Sequence, residues 1–447
     1  MTSPESISPV PASLAARLSE LANTDTVAGV AVTVVRDGQA IGFWSAGYAS
    51  LPFRVPVTER TLFHIGSVGK HITALAVMQL VDAGSVALDA PVGKYVEGLP
   101  ESWAAIPVRR LLTHTSGLPD YGRVIRDWDR PQGRDVILGA IGTAPLLFPP
   151  GAAWAYSNTN YLVLGWLIEA VSGQLYADYL RDRLLGPAQL PSARVDSAGD
   201  VIPDRAEPYD YSNVRFVHAV QLERSVSAAA DGGVLFSARD IAPWSAALTS
   251  ARLVSPALMA QATTGALLTT GRQVPYGFGW FVERTAGHHM QRHAGRVPGF
   301  GAFLMHLAGP GLWVAVMANT TPLPPLLLMA LTTAEAFSPG STFLSRPPAG
   351  DGRDPRTVRA REVLERGAAP LDLEWFAPEM QVLLRAGGEG FQASLPGRLP
   401  PLDRLEPIES YPVPGGCRMV RYRATLAGHV AHYLFGWTKD DRIFWTS

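Results

Sequence analysis

Ser67 and Lys70 stand three positions apart in the run His64-Ile65-Gly66-Ser67-Val68-Gly69-Lys70-His71-Ile72, whose apolar continuation reaches Asp82. If Ser67 opens a helix, Lys70 lies one turn on, on the same face, with its amine near the hydroxyl. A serine hydroxyl is a poor nucleophile until a base takes its proton, and an uncharged lysine amine can serve as that base. Ile72, Leu75 and Ala76 would desolvate the amine and disfavour its charged form. The helix N-terminus would aim free N–H groups at an oxyanion formed there. Ser-x-x-Lys alone is a weak signal, because both residue types are common on solvated helix faces. This chain, however, has only three lysines, Lys70, Lys94 and Lys439, and one of them sits on the edge of an apolar helix.

Two further segments carry reactive side chains. Tyr156-Ser157-Asn158 follows the break Phe148-Pro149-Pro150-Gly151 and precedes a helix that is apolar nearly all round. A phenol can shuttle a proton if a neighbouring cation favours its anion, and Lys70 could be that cation. Asn158 offers an amide to a substrate carbonyl and to Lys70; the bland reading is a polar loop that caps the next helix. His293-Ala294-Gly295-Arg296 reads as a strand running into Pro298-Gly299-Phe300-Gly301. The small residues would let a substrate backbone lie along the strand edge, and the Arg296 N–H is placed as an oxyanion donor beside that of Ser67. A lone strand histidine is more often a satisfied structural residue.

The elements that must bring these segments together are legible in outline. Residues 12–23 read as a helix, with Leu14, Leu18 and Leu21 on one stripe. Residues 27–35 and 40–46 read as two strands joined by a tight Asp37-Gly38 turn. Residues 121–195 are helical in pattern, a loop-rich region runs to Ser227, and helical patterns resume at 238–248 and 256–262. Strand signals return at 276–283, 291–295, 301–307 and 312–318, and His288-His289 reads as an exposed turn. A helix at 325–337 closes the unit. Strands at both ends with helices between them predict an α/β (α+β) domain: an antiparallel sheet flanked by helices, completed by N- and C-terminal parts, with an inserted helical region. The domain is expected over 1–338. A Ser, Pro, Gly and Arg-rich linker over 339–355 leads to a small α+β domain over 356–447, with helices near 356–366 and 374–385. Strands are expected there near 389–395, 404–411, 417–426, 429–438 and 442–446.

Composition bounds the function classes. The chain has 447 residues, 47% apolar and 17% charged, with a formal net charge of −1 and no basic block, so no nucleic-acid partner is indicated. The single cysteine, Cys417, excludes an internal disulfide and zinc sites built on cysteine pairs. The Ser/Pro-rich start lacks a signal-peptide pattern, and Leu326 to Leu331 is too short an apolar run to cross a bilayer. A cytoplasmic protein without a membrane partner is expected, or a periplasmic one if a leader has been trimmed.

Ser67-x-x-Lys70, Tyr156-x-Asn158 and His293-x-Gly295, in this order, resemble the three signature elements of the serine β-lactamase-like superfamily. The likeness is strongest to its class C branch with the D-aminopeptidases and β-lactamase-fold carboxylesterases. Leu111-Leu-Thr-His-Thr-Ser-Gly-Leu-Pro-Asp120, Ala230-Asp-Gly-Gly233, Tyr276-Gly-Phe-Gly-Trp280, Pro298-Gly-Phe300 and Ala318-Asn319 add to it. The resemblance covers roughly 12–338. The chain departs at the third element, with His-Ala-Gly where Lys-Thr-Gly is usual. Without that lysine no fixed cation pairs with a β-lactam carboxylate, which argues against efficient β-lactamase action and for ester or amide substrates.

The resemblance implies acyl transfer on small esters, amides or short peptides, with no cofactor and no metal. Ser67 would be the nucleophile, and Lys70 and Tyr156 would share its proton. The N–H groups of Ser67 and Arg296 would hold the oxyanion, Asn158 and His293 would orient the substrate and the Tyr156 phenol, and Gly295 would admit the substrate along the strand edge. The Arg296 side chain could also select an acidic group by a forked contact. The rival on the same fold is a non-catalytic receptor for a peptide or β-lactam-like ligand. The C-terminal domain would be a wall over the cleft entrance or a homodimer contact. No Gly-x-Ser-x-Gly, His-Glu-x-x-His or phosphate loop occurs.

Overall fold

The computed structural model describes residues 7–125, 133–190, 192–196, 200–220, 230–250, 252–350, 352–366, 371–385, 401–427 and 429–447. Asp37 and Gly38 both take positive φ (52° and 75°), the turn geometry whose twist matches that of the strands it joins, Gly29–Arg36 and Gln39–Ser50. These two strands seed a seven-stranded antiparallel sheet. Its order is Val55–Pro56, Gln39–Ser50, Gly29–Arg36, Leu312–Ala318, Phe300–Leu307, His288–Val297 and Phe281–Thr285. The N-terminal strand lies against the C-terminal one with Val32 opposite Val316, so the two ends of the unit close one sheet.

The strand Gly29–Arg36 is apolar at successive positions because both of its faces are covered. Val30, Val32 and Val34 meet the helices Ala12–Ala22 and Leu326–Phe337 on one side. Ala31 and Val35 face the larger core that contains the helix Lys70–Asp82. The inserted region between the strands packs over this second face. There the helices Lys70–Asp82 and Asn158–Ser172 lie against each other, each buried on nearly every side.

Several local expectations are corrected. The stretch up to Ser227 is not simply loop: Tyr209–Ser212 and Arg215–His218 form a hairpin, with Tyr209–Ser212 parallel to Thr320–Thr321. Residues 276–280 are not strand, because Gly279 (φ +74°) brings that segment onto the backbone of His71, leaving the strand to begin at Phe281. His288 and His289 open the strand His288–Val297; the turn is Ala286-Gly287, both at positive φ. The composition change at Ser338 does not end the first unit's packing, since Phe343 is wholly buried in the same core as the helix Leu326–Phe337.

Beyond it, the strands Leu402–Val413, Cys417–Leu426, His429–Trp437 and Ile443–Thr446 form a four-stranded antiparallel sheet in chain order. The helices Pro355–Arg366 and Pro378–Arg385 accompany it, the second preceded by a 3-10 turn at Leu373–Trp375. The strand expected near 389–395 lies outside the described residues. This sheet packs against the Phe148–Ala155 loop and the strand Phe281–Thr285, where Arg421 meets Glu283 in a buried ion pair at 3.0 Å. Among the described residues, no helix is long and apolar enough to cross a membrane, and no group of three or more His, Cys, Asp or Glu side chains could hold a metal ion.

Candidate active site

Ser67 does not sit on the first turn of an α-helix. It lies in a 3-10 turn, Gly66–Gly69, that feeds the helix beginning at Lys70. In a 3-10 turn residues three apart eclipse each other, so the serine and lysine side chains are brought together more directly than an α-turn would do. Lys70 Nζ lies 2.9 Å from Ser67 Oγ and 2.8 Å from Asn158 Oδ1, and it also reaches the Asp231 carbonyl. The lysine has no exposed surface, whereas Ser67 is half-buried and opens onto a cavity of about 520 Å³. Burial lowers the Lys70 pKa to about 8, outweighing the nearby carboxylates of Asp231 and Asp120, which act to raise it.

The corner that carries Tyr156 and Asn158 is held by the segment Leu111–Asp120. Ser157 N–H donates to His114 Nδ1 (3.3 Å) and its hydroxyl to the Pro119 carbonyl (3.1 Å). Asp120 Oδ1 accepts the Asn158 N–H at 3.3 Å. The His114 ring lies 4.3 Å from the Tyr156 ring; burial, with Lys70 beyond it, holds that imidazole well below its ordinary pKa and therefore neutral. The Tyr156 phenol faces the Ser67 side chain, and the Lys70 amine stands 5.1 Å from the phenol ring centre. The phenol is nevertheless pushed well above its ordinary pKa. Burial is the main cause, the nearby Ser67 hydroxyl opposes it, and the Asp231 carboxylate adds to it. The expectation that Lys70 would favour the phenolate is thus corrected: Tyr156 rests as a neutral phenol.

The third segment divides. Gly295 lies so close to the serine turn that a Cβ there would stand 1.8 Å from the Ile65 carbonyl oxygen and 3.1 Å from the Ser67 nitrogen. Gly66, at φ +52°, likewise has room for no Cβ, which would fall 2.7 Å from the Arg296 nitrogen. The backbones of Ser67 and Arg296 are therefore neighbours, and Arg296 lines the cavity with an exposed side chain. His293, in contrast, is buried and not among the residues that line the cavity. Its Nδ1 donates to the Ala294 carbonyl (2.6 Å), which leaves Nε2 to accept the Tyr276 hydroxyl (3.1 Å). Its ring lies 6.1 Å from that of Tyr156. Of the two parts expected of His293, its place is behind the Tyr156 phenol and not on the cavity surface where a substrate would lie.

Asp120, Tyr121 and Asp231 are among the cavity residues that the sequence reading gave no role. The Tyr121 hydroxyl donates to Asp231 Oδ2 at 3.0 Å, and burial raises the pKa of both carboxyl groups. The two aspartates stood inside motifs quoted for the resemblance, which was the only signal available. None of the described C-terminal residues lines the cavity, so the described part of that domain is not a wall over it.

The chain is 29% identical over 293 residues to penicillin-binding protein 4* of Bacillus subtilis (strain 168), covering 61% of this chain and 64% of that protein. It is 28% identical over 300 residues to the D-aminopeptidase of Gluconobacter oxydans (strain 621H), covering 65% and 55%. The chain thus spans less than two thirds of either relative. Among solved structures, the octameric penicillin-binding protein homologue from Pyrococcus abyssi superposes with a TM-score of 0.65 at 22% identity, covering 96% of this chain and 94% of that one. The D-amino acid amidase from Ochrobactrum anthropi SV3 does so with a TM-score of 0.64 at 23% identity, covering 73% and 98%. Both likenesses are of fold. The family model described as Beta-lactamase matches residues 14–336, well over half of the sequence, and the chain belongs to that family.

Proposed function

We propose that the chain is a serine hydrolase that opens amide or ester bonds of small substrates, of the D-amino-acid peptidase or amidase type, through an acyl-enzyme on Ser67. The observation that carries this is the position of Ser67 Oγ at a buried lysine amine 2.9 Å away, with the Tyr156 phenol facing it and a cavity open before it.

In the first step the neutral Lys70 amine takes the Ser67 proton as Oγ adds to the substrate carbonyl. With a pKa of about 8, roughly a tenth of the amine is neutral at pH 7. The developing oxyanion accepts the N–H groups of Ser67 and Arg296. Tyr156, a neutral phenol, relays a proton to the leaving nitrogen or oxygen, and it is drawn back from Lys70. Water then cleaves the ester by the same route in reverse. Asn158 holds the lysine by its carbonyl oxygen and leaves its NH₂ near Asp120, 3.3 Å away. Gly295 admits the close approach of the two backbones. The D-preference rests on the names of relatives that the chain only partly spans.

The test is a fluorophosphonate label mapped by mass spectrometry, followed by a panel of p-nitrophenyl esters, D- and L-amino-acid amides and nitrocefin. Label on Ser67 with turnover of a D-amide or an ester is the expected result. An adduct on another residue, or a stoichiometric burst without turnover, would end the reading in favour of a receptor.

A further inference from the structure

The side chains around Tyr156 form a sequence of aromatic contacts that ends outside the family match, on Trp445 of the C-terminal sheet. Trp154, two residues before Tyr156, faces Trp445 with ring centres 4.6 Å apart. Trp445 also lies 6.3 Å from Phe281. Phe281 in turn stands 5.3 Å from His293 and edge-on to Tyr276 at 4.9 Å. Trp445 is 3% exposed. One C-terminal side chain therefore touches both the loop that presents Tyr156 and the strand Phe281–Thr285, which pairs with the strand that carries His293.

The loop's last residues before Tyr156 are held on this side by side-chain packing. The loop follows Pro149-Pro150-Gly151, and Gly151 ties its start on both sides, N–H to the Thr115 carbonyl and carbonyl to the Thr269 N–H, while nearer Tyr156 the Ala155 N–H bonds the His114 carbonyl. Towards the C-terminal sheet the contact is made by the Trp154 side chain, which packs in one cluster with Trp445, Phe444 and Leu434. A second link fixes the same strand: Glu283 binds Arg292, the neighbour of His293, and Arg421 of the C-terminal sheet. The Tyr411 hydroxyl also accepts the Arg284 N–H at 3.2 Å on the sheet's outer edge.

We propose that Trp445 is a positioning residue for the hydrolase reaction, acting through Trp154 and Phe281 to hold the Tyr156 phenol against Ser67. The inference rests on the hydrolase reading above. It gives the C-terminal sheet a part in proton transfer instead of in substrate entry.

The test uses the full chain with Trp445→Ala, Trp445→Leu and Trp445→Phe. Fluorophosphonate labelling counts competent Ser67 sites, and kcat and KM for a p-nitrophenyl ester are expressed per labelled site. The alanine variant is expected to lose about 10- to 100-fold in kcat per site, with KM within about twofold, because a misplacement near 1 Å at a reacting group has that size of effect. Phenylalanine should recover most of the loss and leucine less. If the alanine variant does not fold, the order of phenylalanine above leucine carries the test. A kcat per labelled site equal to wild type in all folded variants, with only the melting temperature or labelled fraction reduced, would overturn the inference and leave the hydrolase reading intact. Wild type that takes no label on Ser67 would overturn both.

Discussion

The Lys70 amine stands 2.9 Å from the Ser67 hydroxyl oxygen, and no part of the lysine side chain is exposed to solvent. A charged ammonium in that position has lost most of its hydration, so the neutral form is favoured more than it would be in water. The pair is chemically loaded by the fold that buries it, and the first consequences concern that pair.

Replacing Lys70 by methionine should lower kcat on an ester substrate by roughly 10²- to 10⁴-fold, the usual range for one proton-transfer group. Lys70→Arg should fare no better, because a guanidinium keeps its proton at any working pH. Steady-state rates, with circular dichroism to verify folding, decide this; an arginine variant near wild-type activity would remove Lys70 from the base role.

The rate should follow deprotonation of Lys70. With its pKa lowered to about 8, kcat/KM is expected to fall about tenfold per pH unit below that value and to level off above it. A profile that is flat from pH 6 to 9 would point to a different base.

Gly295→Ala should disable the site without touching a reactive side chain. The new methyl group would meet the Ile65 carbonyl oxygen at 1.8 Å, so the strand must move away from the serine turn and take the Arg296 N–H with it. Loss of one oxyanion donor has an effect of about 10²- to 10³-fold. Labelling of Ser67 at the wild-type rate in a folded G295A protein would show that the close contact is unimportant.

His71 predicts a component of acid sensitivity. Trp244 Nε1–H donates to His71 Nε2 at 2.8 Å, Nδ1 serves the Val68 carbonyl, and burial lowers the pKa to about 3. The unfolded chain binds a proton there from pH 6.5 downward and the folded one does not. Stability from this residue is thus complete above 6.5 and is lost as pH falls towards 3. The slope is about 1.4 kcal/mol per pH unit. In His71→Gln, whose amide can accept from Trp244 and donate to Val68, urea melts at pH 4 to 6 should show a slope smaller by that amount. An unchanged slope would place the acid-labile group elsewhere.

Much of the main sheet was readable because its signals are local. Asp37-Gly38 requires φ > 0 at both positions, and the strands on either side are apolar runs. The hairpin at Tyr209–His218 was not, because its strands are four residues each, short and polar, with Asp210, Ser212 and Arg215 among them. Residues 276–280 looked like strand because Phe278 and Trp280 alternate with glycines; tertiary contact with His71 claims that segment instead. Ser67, Lys70, Tyr156, Asn158, Gly295 and Arg296 do converge, and their order along the chain gave the resemblance before any geometry did. Tyr121 had no sequence signal, since a buried tyrosine in a loop reads as core.

Residue types and their order determined the kind of chemistry on offer: a serine with a lysine one turn away, a tyrosine, and a glycine where two backbones must touch. Protonation states and divisions of labour belong to the tertiary structure alone. Lys70 reaches a pKa near 8 only because the helix Asn158–Ser172 and the Asp231 segment enclose it. His293 turns towards Tyr276 instead of the cavity, and Trp445 reaches Trp154 from the far end of the sequence. Desolvation and ring packing depend on which atoms surround a group, and around Lys70 those atoms come from segments 88 and 161 residues away, which no local pattern encodes.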